Sequence, residues 1–250
     1  STERFGLKSG VNLFGSINTT FGYTYNQGIS RGTGEPRFRR SKSYPEFSLQ
    51  WGRVKIPPLL NRYISSLSYQ FRYAHDIAEE GNQASGEVEK RRITSNLAPL
   101  AGINFSWKNG ISSSVRVDKG RETTKELRSG VGNRISTITD NTGVSVTSNY
   151  SFSSPNGFKI PILGRLKFQS NLNLSFDLQW RSSVRRSAAG TDDFGVSLSS
   201  TEFSVSPRGS YNFSSQINGG FQARWSDRHD RKTGNKTHYR ELGFWVEVKF

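Results

Sequence analysis

The chain ends Leu242-Gly243-Phe244-Trp245-Val246-Glu247-Val248-Lys249-Phe250, with an apolar residue at every second position. Leu242, Phe244, Val246, Val248 and Phe250 share one parity. Gly243, Trp245, Glu247 and Lys249 share the other. Successive side chains on a strand point to opposite faces, so this stretch reads as a strand with one apolar and one mostly polar face. An aromatic residue in last place on such a strand is a habit of bacterial outer-membrane barrels, where the final strand is also read by the insertion machinery.

The same alternation recurs toward the N-terminus. Phe5, Leu7, Val11, Leu13, Ile17, Phe21, Tyr23 and Tyr25 read as one long strand. Phe47, Leu49 and Trp51 mark a second, and Tyr63, Leu67, Tyr69, Phe71 and Tyr73 a third. Ile93, Leu97, Ala101, Ile103, Phe105 and Trp107 form a fourth. Asn109-Gly110, a strong hairpin signal, follows at once and leads into Ile111, Val115 and Val117. A sixth strand carries Ile138, Val144, Val146, Tyr150 and Phe152. The seventh alternates most cleanly: Leu166, Phe168, Leu172, Leu174, Phe176, Leu178 and Trp180 against Lys167, Gln169, Asn171, Asn173, Ser175, Asp177, Gln179 and Arg181. Two more, near 194–213 and 217–225, precede the terminal strand. The expected fold is all-β: about ten long antiparallel strands in up-and-down order, one domain over 1–250.

Composition sets limits. The 250 residues have a mean hydropathy of −0.65, with no apolar run of about 18, so no transmembrane helix is expected. A barrel strand needs only alternate apolar residues over about ten positions, and its average is polar. The chain lacks Cys and Met. Disulfides and thiolate metal sites are therefore excluded, and the chain is expected to be a mature product or a piece of a longer one. The net charge of +15 is spread over strands and loops rather than gathered in one patch, which argues against nucleic acid as a partner.

The connections between strands carry a signal of their own. With the C-terminus in the periplasm, the tight turns Asn109-Gly110 and Ser214-Ser215-Gln216 fall on that side. Longer polar connections, near 28–43, 76–91, 120–134, 182–193 and 227–236, fall on the other. Short turns on one side and long loops on the other suit an outer-membrane barrel. Lys55-Ile56-Pro57-Pro58-Leu59 and Lys159-Ile160-Pro161-Ile162-Leu163 share a Lys-Ile-Pro-x-Leu core and read as interfacial turns or a degenerate repeat. Trp51, Trp107, Trp180, Trp225 and Trp245 lie near strand ends, as in an aromatic girdle. Trp245 has the wrong parity for the lipid face.

Catalytic constellations are sparse. His75, His229 and His238 have no zinc spacing, and no metal or cofactor is expected. Asp192-Asp193 and His229-Asp230 leave an outer-membrane hydrolase as a reading, with solvated loop acids as the simpler one. Gly32-x-Gly34 lacks the strand and helix of a phosphate cradle.

Several stretches together resemble one family. They are Tyr44-Pro45-Glu46-Phe47-Ser48-Leu49-Gln50-Trp51, Ile64-Ser65-Ser66-Leu67-Ser68-Tyr69, Ser204-Val205-Ser206-Pro207-Arg208-Gly209-Ser210-Tyr211-Asn212-Phe213-Ser214, Ile217-Asn218-Gly219-Gly220-Phe221, and Glu247-Val248-Lys249-Phe250. They are similar to the C-terminal region of the SprA/Sov proteins, giant outer-membrane translocons of the type IX secretion system. The resemblance implies a very large barrel that passes folded cargo, with this chain supplying closing strands. It also implies secreted cargo and other secretion-system subunits as partners, beside outer-membrane lipid and the barrel-assembly machinery. Ten strands cannot enclose a protein-sized pore. The chain then contributes to a giant barrel, or is a small stand-alone barrel, porin-like or structural. Glu241, Gly243, Phe244, Val246, Val248 and Phe250 fit the barrel-assembly signal, recognised by strand pairing. A soluble basic β-protein is the remaining alternative.

Overall fold

A computed structural model describes residues 2–13, 16–30, 35–127, 135–160, 164–189, 194–214 and 216–249; over 153–171 it describes only backbone. The strands are β1 (Thr2–Leu13), β2 (Ile17–Ser30), β3 (Arg37–Trp51), β4 (Ile64–Asn82), β5 (Val88–Trp107), β6 (Ser112–Glu126), β7 (Ile135–Ile160), β8 (Gly164–Ala189), β9 (Gly195–Asn212), β10 (Ile217–Asp230) and β11 (Lys236–Val248). They form one antiparallel sheet in strict sequence order, and no described residue is helical. The sheet is open, because β1 and β11 each pair on one side only.

Strand number and loop lengths differ from the sequence reading. The alternation over 5–25 belongs to two strands, not one, so there are eleven. Leu13 stands opposite Ile17 and Val11 opposite Thr19. The connection through 14–16 preserves parity, so the apolar period runs unbroken through the reversal. The long polar loops are mostly strand: at that end the connections are 31–36, 83–87, 127–134, 190–194 and 231–235. Charged and hydroxyl side chains enter both faces there, which breaks the alternation while the backbone ladder continues. The longest connection, 52–63, lies at the opposite end. It is held by Leu60 N–H and Asn61 N–H donating to Pro57 O at 2.9 and 3.1 Å.

The two Lys-Ile-Pro-x-Leu stretches take different conformations. Lys55 and Ile56 are coil, whereas Lys159 and Ile160 pair with Arg165 and Gly164. Residues 161–163 lie outside the described set.

Two prolines mark breaks in the register. Pro45 falls where pairing jumps between Ser43 and Glu46, and Pro99 where it jumps between Leu97 and Ala101. A proline has no N–H to give to a ladder, so bulges accommodate it. The bulge at Pro45 reverses the parity of β3: Phe47 and Leu49 share a face with Lys42 and Arg40.

Nothing packs on either face as a core. Among described residues only Phe38, Ile64, Ala188 and Ala223 are buried and apolar, and no large side chain is fully buried. The accessible surface is 17191 Å². A compact 28.1 kDa chain has about 11,000 Å². The difference is the surface of a sheet with two uncovered faces.

Candidate functional site

The candidate site is the sheet itself: two faces of opposite chemistry and two free edges. Directly paired residues in an antiparallel ladder point to the same face, so the register can be followed from strand to strand. One row runs Leu13, Ile17, Trp51, Tyr69, Ile103, Val115, Val146, Leu178, Val205, Trp225, Arg240. Every member but the last is apolar or aromatic. The row one residue away runs Asn12, Asn18, Gln50, Gln70, Gly102, Arg116, Ser145, Gln179, Ser204, Ser226, Tyr239. It contains no aliphatic side chain. The apolar row meets β1 at its final residue and β11 eight residues before Val248. Such a progressive offset is the stagger by which barrel strands tilt.

The apolar rows are limited in height. On β8 they end at Trp180, after which Ser182 follows on the same face. On β10 they run from Ile217 to Trp225, and Asp227 follows. Nine residues span about 27 Å of strand, or about 21 Å at a tilt of ~40°. An outer-membrane barrel carries an apolar band of about 25 Å.

The tryptophans sort by end. Trp51 and Trp107 stand at the end where the C-terminus lies, Trp180 and Trp225 at the far limit of the band. Trp107 Nε1–H donates to Ser113 Oγ at 3.1 Å, which satisfies the indole at the band's edge. Aromatic contacts run along this face, including Phe21–Phe47 at 4.9 Å and Phe47–Phe71 at 5.8 Å.

Trp245 is on the polar face, as its parity requires. It stands directly across from Gly220, and a Cβ there would lie 2.9 Å from the indole ring. Phe221, on the apolar face, covers Gly209 in the same manner. A Cβ at Gly219 would likewise lie 2.8 Å from the Phe213 ring, so the Gly219-Gly220 pair is where two aromatic rings cross the backbone of β10.

The polar face is lined by amides, hydroxyls and charges. Arg72 pairs with Glu46 at 2.7 Å, and Thr147 Oγ1–H donates to Asp177 at 2.8 Å. One cleft of about 620 Å³ lies between Asn149, Asn173, Arg208, Gln222 and Trp245. Another of about 420 Å³ lies between Ser66, Ser68, Asn104 and Ser114. Both are lined mainly by residues of the polar face.

The proposed assembly-signal residues all fall on the edge strand β11, except that Phe250 lies outside the described residues. Phe244 and Val246 are 77% and 71% exposed on the apolar face. Glu241 and Gly243 face the other way, and Glu241 accepts a hydrogen bond from Tyr239 Oη–H at 2.8 Å. The first edge is equally bare: Phe5 and Leu7 are 60% and 66% exposed.

The hydrolase candidates are described only in part. Asp192, Asp193, Gly32 and Gly34 lie outside the described residues. His229 and Asp230 are neighbours on one strand and so face opposite ways. Asp230 closes the β10–β11 turn, accepting from the amides of Lys232 and Thr233 at 2.9 and 3.2 Å. These bonds hold its carboxyl below the usual carboxylate range. His238 Nδ1 and Arg240 lie 2.8 and 3.0 Å from Asp227. The described residues contain no group of three or more His, Cys, Asp or Glu placed to hold a metal.

The ion pairs at the polar strand ends are a feature that the sequence does not reveal. Arg40 and Arg91 share Glu79, and Arg121 and Arg186 share Asp140. The partners lie 12 to 46 residues apart, so only the register could reveal them.

These features define the class: an all-β chain folded as one open antiparallel meander with an apolar and a polar face. Comparison with protein-family models and with curated proteins gives no match.

Proposed function

We propose that this chain forms wall of an outer-membrane β-barrel, with the apolar face toward lipid and the polar face toward a water-filled lumen. The observation that carries it is the pair of adjacent rows, one apolar and one polar, that runs from β1 to β10 without changing sides. A soluble sheet with this much exposed apolar surface would need a second layer. Lipid supplies that layer on one side and water wets the other. The backbone of such a wall is satisfied by its neighbours, as a bilayer requires.

The wall belongs to a larger barrel. Eleven alternating strands leave β1 and β11 running in the same direction. Closing them on each other would need a parallel pair, whereas bacterial single-chain barrels have an even number of antiparallel strands. Further strands on the free edges remove the conflict. Together with the SprA/Sov-like stretches, this supports a role as the C-terminal strands of a type IX protein-conducting translocon. The C-terminus then faces the periplasm, where the assembly machinery reads β11. Secreted proteins pass along the polar face, and chemical catalysis has no part in the reading.

Two experiments on the native protein test this. Depletion should block export of type IX cargo while the outer membrane stays intact. A tagged copy should sediment with the outer membrane in a complex far larger than 28.1 kDa. A chain of this size that alone forms pores of one defined conductance in planar bilayers would contradict the translocon and support a small porin-like barrel.

A further inference from the structure

We propose that the membrane-facing side of this sheet carries a binding site for the phosphate of an outer-leaflet glycolipid, formed by Lys119, Arg121 and Arg186. The proposal rests on the membrane reading above. On β6 the apolar face shows Val115 and Val117, then Lys119, then Arg121. Lys119 is exposed and is the first side chain beyond the apolar rows of its strand. Arg186 reaches the same place from β8 through a shared carboxylate. Arg121 Nε lies 2.6 Å from Asp140 Oδ1, and Arg186 Nη1 lies 2.9 Å from Asp140 Oδ2.

One carboxylate cannot neutralise three cations. Asp140 instead holds two guanidiniums in fixed positions and leaves the cluster with a positive excess. In the same row as Lys119, Thr142 and Ser182 add hydroxyl donors. A phosphate monoester matches this set: it is a dianion with several acceptor oxygens, and planar guanidiniums bind it through paired N–H groups. The arrangement repeats three strands away, where Arg40 and Arg91 hold Glu79 at 3.2 and 2.7 Å.

The position selects a lipid over other anions. A cation cluster at the border of an apolar face meets headgroups while the acyl chains lie along the band. Val115 and Val117 on β6 and Val144 and Val146 on β7 form the adjoining apolar surface. An acidic protein would have to cover those valines as well, and a free anion would gain nothing from them.

The test uses the complete barrel protein that carries this chain, purified from the outer membrane and reconstituted into phosphatidylcholine vesicles with diphosphoryl lipid A or its dephosphorylated counterpart. After extraction in mild detergent, mass spectrometry counts the glycolipid retained per chain. The phosphorylated form should be retained roughly tenfold more. The triple variant K119Q/R121Q/R186Q should fall to the dephosphorylated level while its protease protection in the bilayer is unchanged. R116Q, on the polar face, should retain lipid like the parent. Equal retention of the two glycolipids by the parent, or an unaffected triple variant, would overturn the site. Displacement of the glycolipid by inorganic phosphate would reassign it to free phosphate and also overturn the proposal. A parent that fails to insert at all would instead remove the membrane reading, and this site with it.

Discussion

Trp245 and Gly220 stand directly opposite each other on β11 and β10, and the indole ring closes over the glycine on the polar face. Gly209, on β9, is covered on the other face by Phe221. Two rings therefore stitch the last three strands together from both sides. A side chain at either glycine would collide with a ring, and at Gly220 also with the Gly209 carbonyl. Gly220→Ala should cost about 1–3 kcal/mol through overpacking. Denaturant unfolding of the reconstituted chain measures it. Trp245→Ala should recover only part of the loss, because the carbonyl collision remains.

The two faces should respond in opposite ways to charge. Val146 lies in the middle of the apolar rows and Ser145 in the polar row beside it. Val146→Arg should destabilise the membrane-inserted state by about 2–4 kcal/mol. Ser145→Arg should change it little. Equal losses would mean that both faces meet the same medium.

The edge strand offers a separate check on assembly. Phe244 and Val246 are the most exposed apolar side chains of β11. Replacing both with Ala should lower the fraction of chain reaching the outer membrane several-fold, read by fractionation. Glu247→Ala, on the opposite face, should leave it unchanged. A loss shared by all three positions would point to pairing of the backbone alone.

The β10–β11 turn should depend on pH. Asp230 accepts two backbone amides and its carboxyl is held below the usual range. A lowered folded value means the contribution is fully present above the ordinary Asp range and is lost as pH falls through the folded value. Hydrogen exchange at Lys232 and Thr233 should be slow from neutral pH down to the ordinary carboxylate range and should lose protection below it. Asp230→Asn should remove that pH dependence.

Much of this fold is legible in the sequence, and the gaps have physical causes. The parity of Leu172, Leu174, Phe176, Leu178 and Trp180 gives β8 directly, because one face must be apolar. The reversal between Leu13 and Ile17 is hidden because the connection keeps parity. The N-terminal part of β3 is hidden because the bulge at Pro45 flips it. The strand ends at 37–42, 76–82 and 119–126 read as loops because charged and polar side chains outnumber Phe38 and Ile77 on both faces there; among them are Arg and carboxylate side chains paired across strands. Such pairs are exposed, and each contributes about 0–1 kcal/mol. The ladder rather than the pairs extends these strands. The glycine contacts at 209 and 220 could not be read at all, since they depend on which backbone lies opposite.

The most direct measurement is a cysteine scan of β8 in lipid vesicles, since the chain contains no Cys of its own. A spin label at Leu174, Phe176 or Leu178 should be accessible to oxygen in the bilayer and shielded from a water-soluble paramagnetic reagent. Labels at Ser175, Asp177 and Gln179 should show the reverse. The alternation should hold from Leu172 to Trp180 and fade at Ser182, where the apolar rows end. Equal exposure of both sets to the water-soluble reagent would contradict a sheet that stands in a membrane with one face in lipid.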